Sequence, residues 1–100
     1  MSLGAGDTAT NTTINTSGMQ YISSGGSATS TTINLGGQQN VSNGGVAMST
    51  TINSAGIQQL FSGGTATYTT IEEQGKGYVH SGGIITDTSI NSGGGLYIYS

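Results

Sequence analysis

Cysteine, proline and tryptophan are absent from this chain of 100 residues, and Lys76 is its only lysine or arginine. Without cysteine, the chain has neither disulfide bonds nor thiolate metal sites. A single cation and a formal net charge of −3 offer no basic surface to nucleic acid, so no nucleic-acid partner is expected. The apolar runs are far shorter than a transmembrane helix and no signal segment opens the chain, so we expect no direct membrane insertion.

Large apolar side chains are also scarce. Only 32% of the residues are hydrophobic and one is Phe, which is too little for a core built from large side chains. Disordered chains, however, usually carry many charges and prolines, whereas just 5% of these residues are charged. The composition therefore favours a regular, repetitive structure over disorder.

The chain repeats itself with a period of 19 residues. A Thr-Thr-Ile-Asn element, with small departures, places its isoleucine at Ile14, Ile33, Ile52, Ile71 and Ile90. The glycine that opens each unit keeps the same interval, at Gly6, Gly25, Gly44, Gly63 and Gly82. These positions define five units, 6–24, 25–43, 44–62, 63–81 and 82–100, preceded by a leader or partial repeat at 1–5.

Each unit is predicted to consist of β-strands, because it is too short for a strand with a crossover helix and shows no helical periodicity. Three columns of equivalent residues are apolar in all five units and are predicted to form the core. The first is the isoleucine column; the others contain Ile22, Val41, Leu60, Val79 and Ile98, and Ala9, Ala28, Ala47, Ala66 and Ile85.

The spacing of these columns predicts the shape of one unit. Ala28 and Ile33 are five residues apart, so they cannot both face inward along one straight strand, and a bend near Ser30 is predicted. Glycine turns at Gly25–Gly26 and Gly36–Gly37 supply two further corners. The predicted fold is all-β: a right-handed parallel β-helix (solenoid) with a roughly triangular cross-section and five 19-residue rungs.

Two kinds of polar column add to this prediction. The two glycine columns without exceptions, those of Gly25 and Gly37, are interpreted as corners that need either a positive φ or close backbone approach, and Asp7, which replaces glycine in the neighbouring Gly26 column, is interpreted as a left-handed residue. Amide columns are predicted to form ladders in which each side chain bonds the next rung. One amide column contains Asn15, Asn34, Asn53, Glu72 and Asn91. The other contains Gln20, Gln39 and Gln58, followed by Gly77 and Leu96 in the last two units.

Written as S-G-G-x-A-x-x-T-T-I-N-x-G-G-x-Q-x-V-x, the unit resembles the passenger repeats of self-associating autotransporter adhesins of Gram-negative bacteria, of the AIDA and antigen-43 type. The resemblance covers residues 6–100, and it departs from the pattern at Glu72, Glu73, Gly77, Ile84 and Ile85. It implies a right-handed β-helix at the cell surface, with a role in aggregation, adhesion and biofilm. We expect the signal sequence and translocator barrel of such proteins to lie outside this fragment.

The resemblance also implies a modification. Some members of that family carry heptose, added to passenger hydroxyls by a heptosyltransferase. The serines before the glycine pair are the candidate glycosylation sites: Ser24, Ser62 and Ser81. The alternative interpretation is that these serines cap turns, since Asn43 fills the same column.

Two surfaces are candidates for interaction with a partner. An outward stripe rich in tyrosine contains Tyr21, Asn40, Gln59, Tyr78 and Tyr97, and the threonine and asparagine ladders contain Thr32, Asn34, Thr51 and Asn53. The expected partner is a second copy of the chain, side by side or end to end; a host receptor or glycan is the other candidate. Alternatively, the aromatic residues only stiffen the strands by packing between rungs.

No catalytic, cofactor or metal site is predicted, so the chain is not expected to be an enzyme. Glycan-cleaving β-helices need clustered carboxylates, whereas Glu72 and Glu73 are neighbours predicted to point to opposite sides. His80 has no second metal ligand nearby in the pattern.

Two alternative non-catalytic functions are ice binding and a phage-fibre role. Ice binding would use regular Thr-x-Thr pairs, which occur here at Thr10/Thr12, Thr29/Thr31, Thr67/Thr69 and Thr86/Thr88. These threonines share the parity of the isoleucine column, which predicts that they face inward, and Met48 interrupts the array.

Overall fold

The computed structural model describes residues 2–99, which form sixteen short β-strands and no helix. The strands assemble into three parallel sheets, one for each side of a triangular coil. We call the first the tyrosine sheet; it contains β1 (Ser2–Leu3), β4 (Met19–Ile22), β7 (Gln38–Val41), β10 (Ile57–Leu60), β13 (Lys76–Val79) and β16 (Gly95–Ile98). The alanine sheet contains β2 (Thr8–Thr10), β5 (Ser27–Thr29), β8 (Val46–Met48), β11 (Thr65–Thr67) and β14 (Ile84–Thr86). The isoleucine sheet contains β3 (Thr13–Ile14), β6 (Thr32–Ile33), β9 (Thr51–Ile52), β12 (Thr70–Ile71) and β15 (Ser89–Ile90).

Each residue lies over its equivalent in the preceding rung. Ile33, for example, pairs with Ile14 on one side and with Ile52 on the other. The predicted fold is confirmed: the chain is a right-handed parallel β-helix with five rungs of 19 residues. Ser2 and Leu3 pair with Tyr21 and Ile22 in the same register, as part of a further rung. Met1 and Ser100, at the ends of the predicted segments 1–5 and 82–100, lie outside the described residues.

The glycine corners form, but each turn begins one residue earlier than predicted, at Ser24–Gly25 and Leu35–Gly36. Gly25 has a φ of 86° and Gly36 a φ of 76°, a left-handed conformation that glycine adopts without steric penalty. The second glycine of each pair is needed for a different reason. A Cβ on Gly26 would lie 2.7 Å from the carbonyl oxygen of Leu3 in the preceding rung.

The interpretation of Asp7 as a left-handed residue is therefore wrong. Its column is restricted by close approach of the preceding rung, and Asp7 is not among the residues with a positive φ. Oδ2 of Asp7 accepts a 3.0 Å hydrogen bond from the backbone N–H of Gly4.

The bend predicted near Ser30 is present and recurs in every rung. Ser30 has a φ of 59°, and its four equivalents have values between 55° and 57°. The column contains Asn11, Ser30, Ser49, Tyr68 and Asp87. The reversal of side-chain direction at this bend lets Ala28 and Ile33 both face the core, where each is fully buried.

The apolar core has two clusters that run along the solenoid. One combines the inward residues of the tyrosine and alanine sheets: Leu3, Ile22, Val41, Leu60 and Val79 with Ala28, Ala47 and Ala66. The other is the isoleucine column from Ile14 to Ile71.

The predicted apolar columns supply both clusters, but they are not the whole interior. Two polar columns are also buried, with Gln20, Gln39, Gln58, Thr31, Thr50 and Thr69 at most 1% exposed. Gln20 lies two residues before Ile22 on β4, so the alternation of side chains turns both inward. Burial is tolerated because Nε2 of Gln39 donates to Oε1 of Gln20 at 2.8 Å, and Nε2 of Gln58 donates to Oε1 of Gln39 at 2.7 Å.

The glutamine ladder ends at Gly77. Leu96, one rung further, packs against both apolar clusters, and its Cδ1 lies 3.1 Å from where a Cβ of Gly77 would be. An apolar side chain thus fills space that the amides occupy in earlier rungs. A glutamine eleven residues earlier accepts a long hydrogen bond from Thr50 and from Thr69, whereas the buried hydroxyls of Thr31 and Thr88 make no hydrogen bond.

Candidate functional site: the outer face of the tyrosine sheet

The tyrosine sheet has one side in the core and one side in solvent. On β10, Gln58 and Leu60 are buried, whereas Ile57 and Gln59 face outward and are half-buried. Large apolar and aromatic side chains collect on this outer face, each 37–50% exposed: Met19, Tyr21, Phe61, Tyr97 and Tyr99. The predicted outward stripe from Tyr21 to Tyr97 runs across this face, because these residues pair directly from rung to rung.

Asn40 departs from the expectation of a uniformly exposed stripe. Its side chain is 8% exposed, and its Oδ1 accepts a 3.1 Å hydrogen bond from Nε2 of Gln38. It pairs with Tyr21 and Gln59 in the adjacent rungs, both of which are longer than asparagine. The short amide is therefore largely covered and contributes little contact surface.

The aromatic residues form two ladders along the solenoid. In the first, the rings of Phe61 and His80 are 4.7 Å apart at an interplanar angle of 3°, and those of His80 and Tyr99 are 5.3 Å apart at 13°. In the second, Tyr78 and Tyr97 are 5.2 Å apart at 20°. These near-parallel arrangements stabilise the aromatic stacks and hold the rings in a fixed position. Phe61, His80 and Tyr99 occupy one outward column of the repeat together with Ser23 and Ser42, and their 19-residue spacing is the signal in the sequence from which this stacking could have been predicted.

A groove of about 470 Å³ lies between the two ladders. We call it the aromatic groove, and it is lined by Gln59, Tyr78, His80 and Tyr99. Nε2 of His80 lies 3.2 Å from Oε1 of Gln59, and the rings of Tyr78 and Tyr99 are 6.4 Å apart. No aspartate, glutamate, lysine or arginine lines this groove.

The second candidate surface, on the isoleucine sheet and its following turn, is less available. Thr32, Asn34, Thr51 and Asn53 are all half-buried. The predicted asparagine ladder is confirmed, since Nδ2 of Asn34 donates to Asn15 at 3.0 Å and Nδ2 of Asn53 donates to Asn34 at 2.9 Å. Because the amides bond one another, much of their hydrogen-bonding capacity is used inside the ladder.

The serines predicted as glycosylation sites lie at the corner between the tyrosine and alanine sheets. Ser24, Ser62 and Ser81 are all exposed, as is Asn43 in the same column. The backbone N–H groups here already have partners: that of Ser24 donates to the carbonyl of Asn43, and that of Asn43 to the carbonyl of Ser62. The three serines are therefore exposed residues at a corner whose backbone is bonded from rung to rung at Ser24 and Asn43.

The threonine pairs do not all face the same way. The inward direction predicted for them holds for Thr31 and Thr69, which are buried, but is wrong for Thr29 and Thr67, which flank inward alanines and are half-buried on the outer side. The bend at Ser30 resets the alternation between the two members of a pair. A flat array with both threonines exposed is not formed.

The acidic residues are dispersed. Oε1 of Glu72 accepts a 2.9 Å hydrogen bond from Asn91 and so continues the asparagine ladder, while Glu73 is exposed. Within residues 2–99, no three side chains of His, Asp or Glu are grouped so that they could hold a metal ion. The same residues contain no helix long and apolar enough to span a membrane.

No protein-family model matches the chain, and no curated protein matches its sequence at a significant level. A solved structure does: the crystal structure of a TibC-catalysed, hyper-glycosylated fragment of TibA, with a TM-score of 0.81 and 35% sequence identity. The match covers 99% of this chain and 43% of the TibA fragment, so the chain spans less than half of that structure. In fold and in sequence, the chain is similar to part of a glycosylated TibA fragment.

Proposed function

We propose that the chain is a piece of the exported passenger of a bacterial autotransporter adhesin, displayed at the cell surface, and that it mediates self-association through the outer face of the tyrosine sheet. The similarity to the TibA fragment at 35% identity supports the class of protein, and so does the resemblance of its repeat to AIDA and antigen-43 passengers. A structural and adhesive role also agrees with an uninterrupted rod whose rungs differ mainly in their outward residues.

The observation that carries the choice of surface is the concentration of exposed aromatic residues on one side. Tyr21, Phe61, Tyr97 and Tyr99 all lie on the tyrosine sheet or immediately after its strands. Exposed aromatic side chains provide large contact areas with few rotatable bonds, and a contiguous patch of them marks an interaction surface.

Repetition along the rod makes weak contacts sufficient. Each rung adds about 4.8 Å of length and one more set of outward side chains. Two rods lying side by side engage many such sets at once, so modest contacts add up to stable association. Side-by-side contact also leaves the ends of the rod free to continue into further rungs.

The test replaces Tyr21, Tyr78 and Tyr97 with Ser in the full-length protein displayed on bacterial cells, and measures cell aggregation by settling. We expect aggregation to fall sharply. The matched control is Tyr68→Ser, which removes a tyrosine that is 57% exposed at a different corner and should leave aggregation unchanged. If the triple variant aggregates as strongly as the unaltered protein, the tyrosine sheet is not the adhesive surface. The candidate is then the surface around Thr32, Asn34, Thr51 and Asn53.

We further propose that Ser24, Ser62 and Ser81 are sites of glycosylation by a heptosyltransferase. Their exposure at this corner supports this, as does the hyper-glycosylated state of the TibA fragment. Co-expression with TibC followed by mass spectrometry of the intact chain should give added sugar masses that disappear in a Ser24→Ala, Ser62→Ala, Ser81→Ala variant. Retention of all the added mass in that variant would place the modification elsewhere, and absence of added mass in the unaltered chain would exclude TibC as the transferase.

A further inference from the structure

The stacked rings that border the aromatic groove do not cover one another completely. Carbon atoms in favourable van der Waals contact lie roughly 3.5–4.0 Å apart, whereas the ring centroids of Phe61 and His80 are 4.7 Å apart and those of Tyr78 and Tyr97 are 5.2 Å apart. Nearly parallel rings at these distances are offset sideways, so part of each ring face remains uncovered. An aromatic face carries partial negative charge and attracts groups whose hydrogens carry partial positive charge.

The groove also presents hydrogen-bonding groups beside these faces. Nε2 of His80 and Oε1 of Gln59 lie 3.2 Å apart, which fixes the orientation of both side chains. That contact uses only the oxygen of the Gln59 amide, so its Nε2 remains a donor, and the hydroxyls of Tyr78 and Tyr99 each donate and accept. A ligand in the groove thus meets both flat apolar surface and neutral hydrogen-bonding groups.

Charge narrows the chemical class of that ligand. Phosphate, sulfate and carboxylate groups are normally held by arginine or lysine, and neither lines the groove. A cationic ligand could contact the ring faces but would find no carboxylate for an ion pair, whereas the neutral amide, imidazole and hydroxyl groups match a ligand with several hydroxyls. The groove suits an uncharged ligand that combines C–H faces with hydroxyl groups.

Comparison between rungs shows that the groove is not a requirement of the fold. The column of Phe61, His80 and Tyr99 contains Ser23 and Ser42 in earlier rungs, and the column of Tyr78 contains Asn40. Serine and asparagine at these positions support the same parallel register in those rungs. The fold therefore does not require the aromatic residues that line the groove in the last three rungs.

We propose that the aromatic groove binds a pyranose unit of an uncharged glycan. The C–H groups on one side of the sugar ring pack against the uncovered faces of Tyr78 and Tyr99, and its hydroxyls bond Gln59, His80 and the tyrosine hydroxyls. This site does not depend on self-association, because all four lining residues belong to one chain.

The experiment is saturation-transfer-difference NMR on the 100-residue chain, with methyl β-D-galactopyranoside, methyl β-D-glucopyranoside and methyl α-D-mannopyranoside as separate probes and glycerol as the acyclic control. We expect transfer to the ring C–H protons of at least one pyranoside and none to glycerol. The variant Tyr78→Asn, His80→Ser, Tyr99→Ser uses residues that already occur in the same columns, and it should bind the pyranoside about tenfold more weakly or worse. Tyr21→Ser is the matched control and should bind like the unaltered chain.

Absence of transfer from all three pyranosides at millimolar concentration overturns the proposal, as does equal binding by the triple variant. If the triple variant does not fold, chemical-shift changes in the unaltered chain decide instead: they must centre on Tyr78, His80 and Tyr99, and changes centred elsewhere overturn the assignment. Sedimentation of the same samples separates this result from self-association. A monomeric chain that binds sugar supports the groove alone, and a chain that associates without binding sugar supports the adhesive face alone.

Discussion

Nε2 of Gln58 donates a hydrogen bond of 2.7 Å to Oε1 of Gln39, and neither side chain is more than 1% exposed. The bond joins two successive rungs at a place where water is excluded. Gln39 in turn donates to Gln20, so it is the middle member of the ladder and Gln58 is the last.

This arrangement predicts that position within the ladder decides the cost of losing an amide. Gln39→Leu removes two short bonds, the one from Nε2 of Gln58 and the one to Oε1 of Gln20, together with the long 3.5 Å bond from Thr50, and should lower the free energy of unfolding by about 3 kcal/mol. Gln58→Leu removes one short bond, to Oε1 of Gln39, together with the long 3.4 Å bond from Thr69, and should cost about half as much, roughly 1.5 kcal/mol. Urea denaturation of the two variants measures the difference, and equal losses would show that the ladder is not a connected unit.

The isoleucine column predicts a strong response to charge. Ile52 is fully buried between Ile33 and Ile71, so Ile52→Asp places an unpaired carboxylate in the core and should cost roughly 4 kcal/mol or more. The control, Gln38→Asp, adds the same charge on the outer face of the tyrosine sheet. This variant loses the hydrogen bond from Gln38 to Asn40, so its melting temperature should fall slightly, and a drop as large as that of Ile52→Asp would mean that the faces are wrongly assigned.

The two members of a glycine pair should respond differently to alanine. In Gly26→Ala the new Cβ would meet the carbonyl oxygen of Leu3 at 2.7 Å and its Cβ at 3.0 Å, and we expect a loss of about 2–3 kcal/mol. In Gly25→Ala the nearest atom is 4.0 Å away, so only the left-handed backbone resists the change, at about 1 kcal/mol. Thermal unfolding of both variants shows which loses more stability. A larger loss for Gly25→Ala would mean that the left-handed backbone, and not close approach of the preceding rung, is the stronger restriction.

One substitution is expected to stabilise the protein. Tyr68 has a φ of 57° at the bend, where a bulky side chain is strained, and its ring is 57% exposed. Tyr68→Asn introduces the residue type found at the equivalent Asn11 and should raise the free energy of unfolding by roughly 0.5–1 kcal/mol. Tyr68→Ala should give no such gain, because alanine lacks the polar side chain that makes this conformation accessible; a gain of the same size from alanine would point to loss of the exposed ring as the cause.

The parity of side chains along a strand explains what could be predicted from the sequence. Ala28 and Ile33 could not share a face without a bend, and the bend is at Ser30. The same rule places the amide of Gln20 on the core side, because Gln20 lies two residues before Ile22. This burial was not predicted, since glutamine is usually an exposed residue. Parity failed at Thr29 because the bend resets the alternation within the Thr-x-Thr pair.

The candidate site was predicted in outline and missed in detail. The outward stripe from Tyr21 to Tyr97 follows from alternation, whereas the covering of Asn40 depends on how Gln38 folds across it. The aromatic groove depends on ring stacking between Phe61, His80 and Tyr99, three different residue types in one column. Because this column also contains Ser23 and Ser42, its sequence does not show a single residue type from which a ladder could be predicted, and only its last three members can stack.

The constant 19-residue register also bears on how such a rod changes over generations. Duplication or deletion of one unit by unequal genetic exchange adds or removes a whole rung, about 4.8 Å of length, and joins columns that already match. Within the first three rungs the new junction repeats Gln-on-Gln contacts that exist already. A junction at Gly77 does not repeat such a contact, because Leu96 packs into the space that a glutamine side chain would occupy at this position. Adding or removing one of the early rungs therefore keeps the ladder contacts intact. Removing either of the last two rungs alone would break the fit of Leu96 beside Gly77.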